Sequence, residues 1–220
     1  MVAKWIKEHS EAKVIFNGDG SDEVSGGYMY FHAAPNATEF DWDCKRLLDE
    51  IHYFDVLRSD RSISTNGLEP RTPFLDRSFV QFYLSIPKET RCHNLHNKCE
   101  KYLIREAFSD GTWLPDKVLF RTKEAFSDGV SSQTKSWFEI ISEKVSTIWS
   151  QEEAGVLMTA YKYEHMPPET LEQLYYRTIF DKLYPNMATS IPHFWMPNFV
   201  DAKDSSARTL DVYNQQMTSQ

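Results

Sequence analysis

No stretch of this sequence approaches the roughly 18 consecutive apolar residues that a membrane-crossing helix requires, and residues 1–10 lack the apolar centre of an export signal. The expectation is a cytoplasmic protein with no membrane partner. Positive charge is also short: 24 Lys+Arg face 32 Asp+Glu, a net charge of −8. Such a surface repels polyphosphate at long range, which excludes a general nucleic-acid or anionic-membrane binder and requires any phosphate ligand to be held locally. Cysteine is scarce as well. Cys44, Cys92 and Cys99 are an odd number without an export signal, so no disulfide framework is expected. The sequon Asn36-Ala37-Thr38 is idle for the same reason.

What the chain does contain is the makeup of an ordinary folded protein, with 41% hydrophobic and 25% charged residues over 220 positions. That length serves one domain, or one and a half. Cys92, His93, His96 and Cys99 lie within eight residues, and two thiolates with two imidazoles could enclose zinc. The spacing is tighter than the usual knuckles, and an exposed polar loop is the commoner outcome.

Residues 13–16 form a short β-branched run and read as a buried strand ending at Asn17. Residues 38–58 carry Phe40, Cys44, Leu47, Leu48, Ile51, Phe54 and Leu57 at helical spacing, with Thr38 as N-cap, and read as one helix. Asp76 caps another, which stops before Pro87. Further helices fit 98–108, 134–148 and 169–183. The body is predominantly helical. A single buried strand cannot make a sheet, and no partner is evident in the rest of the chain, so the missing strands are expected before Met1. The polar end suggests a division into a domain over 1–200 and a loosely held tail over 201–220.

After the strand comes Asn17-Gly18-Asp19-Gly20-Ser21-Asp22-Glu23. Gly-rich turns at the carboxyl ends of strands let backbone N–H groups approach phosphate. Acids there would repel phosphate unless a cation such as Mg²⁺ bridged the two. The alternative is a plain acidic surface turn. On the next helix, Leu48, Ile51, Asp55 and Arg58 share one face, so the charged pair extends the apolar stripe as either a structural ion pair or a site. Lys101 lies with Ile104 and Phe108 on one face and points inward, unless it snorkels to solvent.

Together these stretches resemble the asparagine synthetases. VIFNGDGSDEVSGGYMY at 14–30 and the following FHAAP are similar to that family's strand, acidic loop and YFHKAP run. FDVLR at 54–58, GLEPRTPFLD at 67–76, EKYLIREAF at 100–108 and KEAFSDGV at 123–130 resemble further family segments. HFWMP at 193–197 and SARTL at 206–210 are similar to a terminal segment of eukaryotic-like members. That terminal segment argues against a ring-closing β-lactam synthetase of the same fold.

The resemblance implies an α/β fold, the C-terminal portion of an adenine-nucleotide alpha-hydrolase-like (PP-loop ATP pyrophosphatase) domain lacking most of its parallel sheet. It implies an ATP-dependent ligase that adenylates aspartate to β-aspartyl-AMP and admits ammonia, supplied from glutamine by an N-terminal glutaminase domain. That domain and the SGGxDS pyrophosphate loop are expected to be missing from this chain, since Tyr28-Met29-Tyr30 follows Ser25-Gly26-Gly27 where x-Asp-Ser should stand. By the same resemblance Asn17, Gly18, Gly20 and Ser21 lie at the nucleotide, Asp22 binds Mg²⁺, and Asp19, Asp55, Arg58 and Lys101 are catalytic. A homodimer is compatible with it. The family's Ser-Gly-Glu-Gly stands here as Asn17-Gly18-Asp19-Gly20, with a carboxylate one methylene shorter. The other reading is a noncatalytic remnant, or a pairing partner of a full-length synthetase, inactive alone.

Overall fold

The computed structural model describes residues 1–121, 123–132, 135–162, 164–202 and 210. The chain divides into two compact units, Met1–Lys123 with Pro197–Gln220, and Glu124–Met196.

The first unit opens with an amphipathic helix, α1 (Val2–His9), whose Ala3 and Ile6 pack with Ile15, Ile63 and Leu68. Strand β1 (Val14–Phe16) follows, and α2 (Ser21–Ser25), α3 (Ala37–Glu50) and α4 (Asp55–Ser64) lead to β2 (Glu69–Arg71). The strands pair in parallel, Val14 with Glu69, Ile15 with Pro70 and Phe16 with Arg71. The sequence reading missed β2 because Pro70 stands at its centre, where it normally demotes a strand. Here the ladder takes its donors from Glu69 N–H (to Lys13 O, 2.8 Å) and Asn17 N–H (to Arg71 O, 2.9 Å), so the absent donor of Pro70 leaves those bonds intact. The expectation of a buried strand is corrected too. Phe16 is 81% exposed and Val14 is also exposed, because a two-stranded sheet covers β1 on one side only.

The single helix expected over 38–58 is two helices. Asn36, not Thr38, is the N-cap of α3, its Oδ1 accepting from Thr38 and Glu39 N–H. A 3₁₀ turn at Ile51–Tyr53 and a non-helical Phe54 (φ −118°, ψ −96°) end the run, and α4 starts afresh at Asp55. The apolar periodicity survives a break of this kind, which is why spacing alone did not reveal it.

Helix α5 (Arg77–Ser85) is capped by Asp76 as expected and ends before Pro87. Short helices α6 (Lys88–Arg91), α7 (Tyr102–Ala107) and α8 (Asp116–Leu119) complete the unit. Its main core joins Val24, Met29, Tyr30, Phe31, Phe40, Cys44 and Leu47. Phe31 meets Phe40 edge-on with centroids 5.0 Å apart, and Phe199 packs on Tyr30 and Phe31, bringing the segment after Pro197 back to this core. Asp43, wholly buried, is satisfied by Tyr30 OH (2.7 Å), Arg46 Nε (2.7 Å) and Asn198 Nδ2 (3.2 Å). Such pairing is what permits a carboxylate in a core. Leu210 is buried, while the rest of the expected tail beyond 202, including most of SARTL, lies outside the described residues.

The second unit holds α9 (Phe126–Gly129), α10 (Trp137–Ser146), α11 (Gln151–Tyr161) and α12 (Leu171–Leu183). Ser136 and Ser150 cap α10 and α11 through reciprocal bonds with Glu139 and Glu153. Helix α10 thus begins later than the expected residue 134, which lies outside the described set, and α11 was not anticipated. Buried Arg177 on α12 donates to Asp181, to the carbonyls of His165 and Met166, and to Glu164, so its charge is fully engaged. Among the described residues no helix is long and apolar enough to cross a membrane.

Candidate active site

The loop leaving β1 is shaped by two requirements. Gly20 has φ 89°, and a Cβ there would fall 2.3 Å from Leu75 Cδ2, in the Pro73–Leu75 turn after β2. Only glycine fits at both counts. Asn17 closes the turn internally: its Oδ1 accepts from Asp19 N–H at 2.6 Å, and its Nδ2 donates to Asp19 Oδ2 at 2.8 Å and to Ser59 Oγ on α4. Gly18 has nothing within 4 Å of where a Cβ would be, so its backbone is open to approach.

Asp19 also lies 3.6 Å from the Arg58 guanidinium, which binds Asp55 at 2.5 Å. Arg58 corrects the expected inward orientation. Its side chain is 68% exposed, because restarting the helix at Asp55 turns this face towards the loop and solvent. The pair is therefore a screened one and not a buried bridge.

Asp22, on α2, is gripped from two sides. Lys101 Nζ lies 2.8 Å from Oδ1 and 2.9 Å from Ser21 Oγ, and Lys123 Nζ lies 3.3 Å from Oδ2. Burial works to raise the pKa of Asp22, but Lys101 and then Lys123 outweigh it and hold the carboxyl below its ordinary range. Room for this grip comes from Gly27: a Cβ there would sit 2.4 Å from both Asp22 Oδ1 and Lys101 Cε. Lys101 is not on the face of a helix, as spacing suggested, but is the N-cap of α7 with φ 59°. A left-handed conformation is uncommon for a long side chain and is concentrated at functional positions. The preceding Glu100 is buried and fixed by Arg105 (2.6 Å) and His32 (3.4 Å), anchoring the residue before this turn.

Glu23, next to Asp22, is buried and accepts from Tyr28 OH at 2.5 Å. Burial raises its pKa to about 7, Tyr28's bond opposes this, and Asp55 and Asp22 add to the rise. Burial and neighbouring Glu23 push the Tyr28 phenol up as well.

The residues singled out from sequence gather in two groups along the loop that leaves β1: Asn17 and Asp19 with Asp55 and Arg58, and Ser21 and Asp22 with Lys101, while Gly18 and Gly20 shape the turn between them. Sequence reasoning counted Glu23 among the acids of the loop but gave it no role, and passed over Ser59, Tyr28 and Lys123 as members of the cluster. Only the position of Lys123 at the head of KEAFSDGV could have drawn attention to it. The Cys/His cluster does not form a zinc centre. His93 is engaged on Gly26 O (3.2 Å) and His96 on Glu89 O (2.8 Å), and among the described residues no group of three His, Cys, Asp or Glu is placed to hold a metal.

The asparagine synthase family matches this sequence over residues 34–206. The chain belongs to that family. It is 47% identical over 215 residues to the asparagine synthetase (glutamine-hydrolyzing) of Gallus gallus and 44% identical over 213 residues to that of Homo sapiens. Each alignment covers 97% of this chain and 37% of the relative, so the chain spans little more than a third of the length of those proteins.

The donor set bears on which metal would fit. Asp22 is a single carboxylate on α2, flanked by cations. Its two oxygens face Lys101 and Lys123, so a Mg²⁺ taking this one carboxylate together with phosphate oxygens and water would have to share it with those ammoniums, and among the described residues no group of three His, Cys, Asp or Glu offers a cage for any other metal.

Proposed function

We propose that this chain supplies part of the active site of an ATP-dependent ligase that makes asparagine from aspartate through β-aspartyl-AMP, with ammonia coming from glutamine in a longer protein. The observation that carries this reading is Asp22 held between Lys101 and Lys123 at the carboxyl end of a parallel strand. That end of a strand is where open α/β sheets bind nucleotides, which supports assignment to the adenine-nucleotide alpha-hydrolase-like fold.

In this account the open backbone at Gly18, with Asn17, Gly20 and Ser21, receives the nucleotide. Asp22 would hold Mg²⁺, which would supply charge neutralisation on the phosphates when bound. The aspartate β-carboxylate attacks the α-phosphorus, the bond to the pyrophosphate oxygen breaks, and Lys101 neutralises the charge gathering on the departing pyrophosphate. Ammonia then attacks the acyl carbon and AMP leaves. Asp19, Asp55 and Arg58 form the wall beside this centre and orient the amino acid, with the Arg58 fork suited to a carboxylate.

Aspartate-dependent exchange of labelled pyrophosphate into ATP tests the reading in the protein that carries this chain. Exchange is expected, and Lys101→Met should lower it by about 10² or more, the scale of losing one well-placed charge-stabilising donor. Absence of exchange in the unmodified protein overturns the reading. One observation favours a second role: Phe16 and Val14 stand exposed on a two-stranded sheet, as in a pairing partner that acts only alongside a complete synthetase. Exchange on mixing the two that exceeds the exchange of the full-length synthetase alone, with none from this protein by itself, would establish that role.

A further inference from the structure

We propose that Arg105 is a positioning residue of this site, its guanidinium fixing the left-handed turn from which Lys101 reaches Asp22. The inference rests on the ligase reading and extends it to a residue that lies behind the lysine turn.

Lys101 acts from an uncommon backbone. With φ 59° it is the N-cap of α7, and its Nζ lies 2.8 Å from Asp22 Oδ1. Its stem passes so close to Gly27 that a Cβ there would sit 2.4 Å from Lys101 Cε. A side chain threaded through such a slot depends on the direction in which its backbone points it, and a lysine left to itself prefers a negative φ. The cap makes no side-chain bond of its own to α7, so the turn is held from outside residue 101.

Arg105 supplies that hold. Its Nε donates to the Glu100 carbonyl at 2.9 Å and its Nη2 to Glu100 Oε1 at 2.6 Å, so one fork grips the main chain and the side chain of the same residue. Because the peptide joining Glu100 to Lys101 is planar, a fixed Glu100 carbonyl also fixes the direction of the Lys101 N–H, and with it the frame in which the φ of Lys101 is set. The main-chain N–H of Arg105 closes the other side, donating to the Lys101 carbonyl at 3.1 Å. Its Nη1 donates to the carbonyls of Leu119 (2.7 Å) and Arg121 (3.0 Å), tying the turn to the end of α8 and the segment after it. Glu100 is suited to this grip. Burial works to raise its pKa, but the bond from His32, a backbone donor and Arg105 outweigh it and keep the carboxyl below its ordinary range. A plain structural ion pair calls for one carboxylate and one cation. Here three of the four side-chain bonds go to main-chain carbonyls around the lysine turn, a task for a planar fork with donors in fixed directions and not for an ammonium.

The test uses the protein that carries this chain and its Arg105→Lys variant, which keeps the charge and loses the fork. The first readout is acetylation by acetic anhydride, followed by peptide mass spectrometry on protein whose fold is checked by circular dichroism. Labelling of Lys101 is expected to rise by about threefold or more as its ammonium leaves Asp22, with exposed Lys4 on α1 unchanged. Unchanged Lys101 labelling in the folded variant overturns the inference. The second readout is aspartate-dependent pyrophosphate exchange. Arg105→Lys should lower kcat by about tenfold while the KM for ATP stays within about twofold, and it should cost no more than about twofold when added to Lys101→Met, because it acts through that lysine. The full loss repeated in the Lys101→Met background would assign Arg105 to stability alone and overturn the inference. Absence of exchange in the unmodified protein overturns the ligase reading instead, and the labelling result, which needs no turnover, still decides this one. Should Arg105→Lys not fold, Glu100→Gln takes its place: it removes the charged bond, leaves the three carbonyl bonds, and should raise Lys101 labelling in the same direction. Unchanged labelling there would sink the proposal.

Discussion

Asn17 and Asp19 bond to each other twice, main chain to side chain and side chain to side chain, within the turn after β1. By resemblance, both positions depart from the family's serine and glutamate. A shorter acid alone would retract its carboxylate by about an ångström, a misplacement able to cost on the order of 10²-fold in rate. The structure gives the two departures a shared geometry, in which the amide of Asn17 reaches the carboxylate of Asp19 and holds it near Arg58. The effects of Asn17→Ser and Asp19→Glu on aspartate-dependent pyrophosphate exchange are therefore expected to be non-additive by about 1 kcal/mol or more, with the double substitution more active than either single one predicts. Simple additivity would show that the two residues act independently. At this scale residue type and the loop context pointed to Asp19 and Asp22, whereas Lys101 was reached through the family resemblance, its helix-face spacing being undone by its place as the N-cap of α7. Lys123 was not legible, because a cation brought in from 101 residues away leaves no local spacing signal.

Among the elements, α2 and the 3₁₀ turn His93–His96 are clasped together. Gly26, the C-cap of α2, has φ 62° and no room for a Cβ against the Phe40 ring, and its carbonyl meets His93 Nε2. Burial, with His32 beside it, lowers the His93 pKa to about 4, against the smaller opposing effects of the Gly26 bond and Glu100. Folding therefore favours neutral His93, and the sign follows. The unfolded imidazole, with a pKa near 6.5, takes up a proton that the folded one refuses, so stability is full above about pH 6.5 and falls as pH drops towards about 4, at roughly 1.4 kcal/mol per unit. Glu23, raised to about 7, has the opposite sign over the same window, so the test is a comparison of proteins: between pH 7 and pH 5 the urea midpoint of His93→Gln should fall less, or rise more, than that of the unsubstituted protein. An equal slope in the variant would assign the loss to other groups. Helices with clear caps, such as α5 behind Asp76, could be read from the sequence. The break at Phe54 and the strand centred on Pro70 could not, because one preserves the apolar rhythm and the other violates strand preference while keeping its ladder.

In the molecule as a whole, a two-stranded parallel sheet with Val14 and Phe16 exposed is a small platform, and the chain spans 37% of the relatives it matches. The sequence indicated that β1 needs neighbours, and the structure supplies one of them. What the platform does present is the carboxyl end of β1, with acids and lysines from distant segments gathered around Asp22. The central claim is that this end serves transfer of the adenylyl group to aspartate. The most direct measurement follows ¹⁸O from the labelled β-carboxylate of aspartate during asparagine formation by the protein that carries this chain. Adenylation predicts one ¹⁸O in the phosphate of AMP, left there when ammonia displaces it. Asparagine formed with ¹⁸O in inorganic phosphate, and none in AMP, would contradict the account.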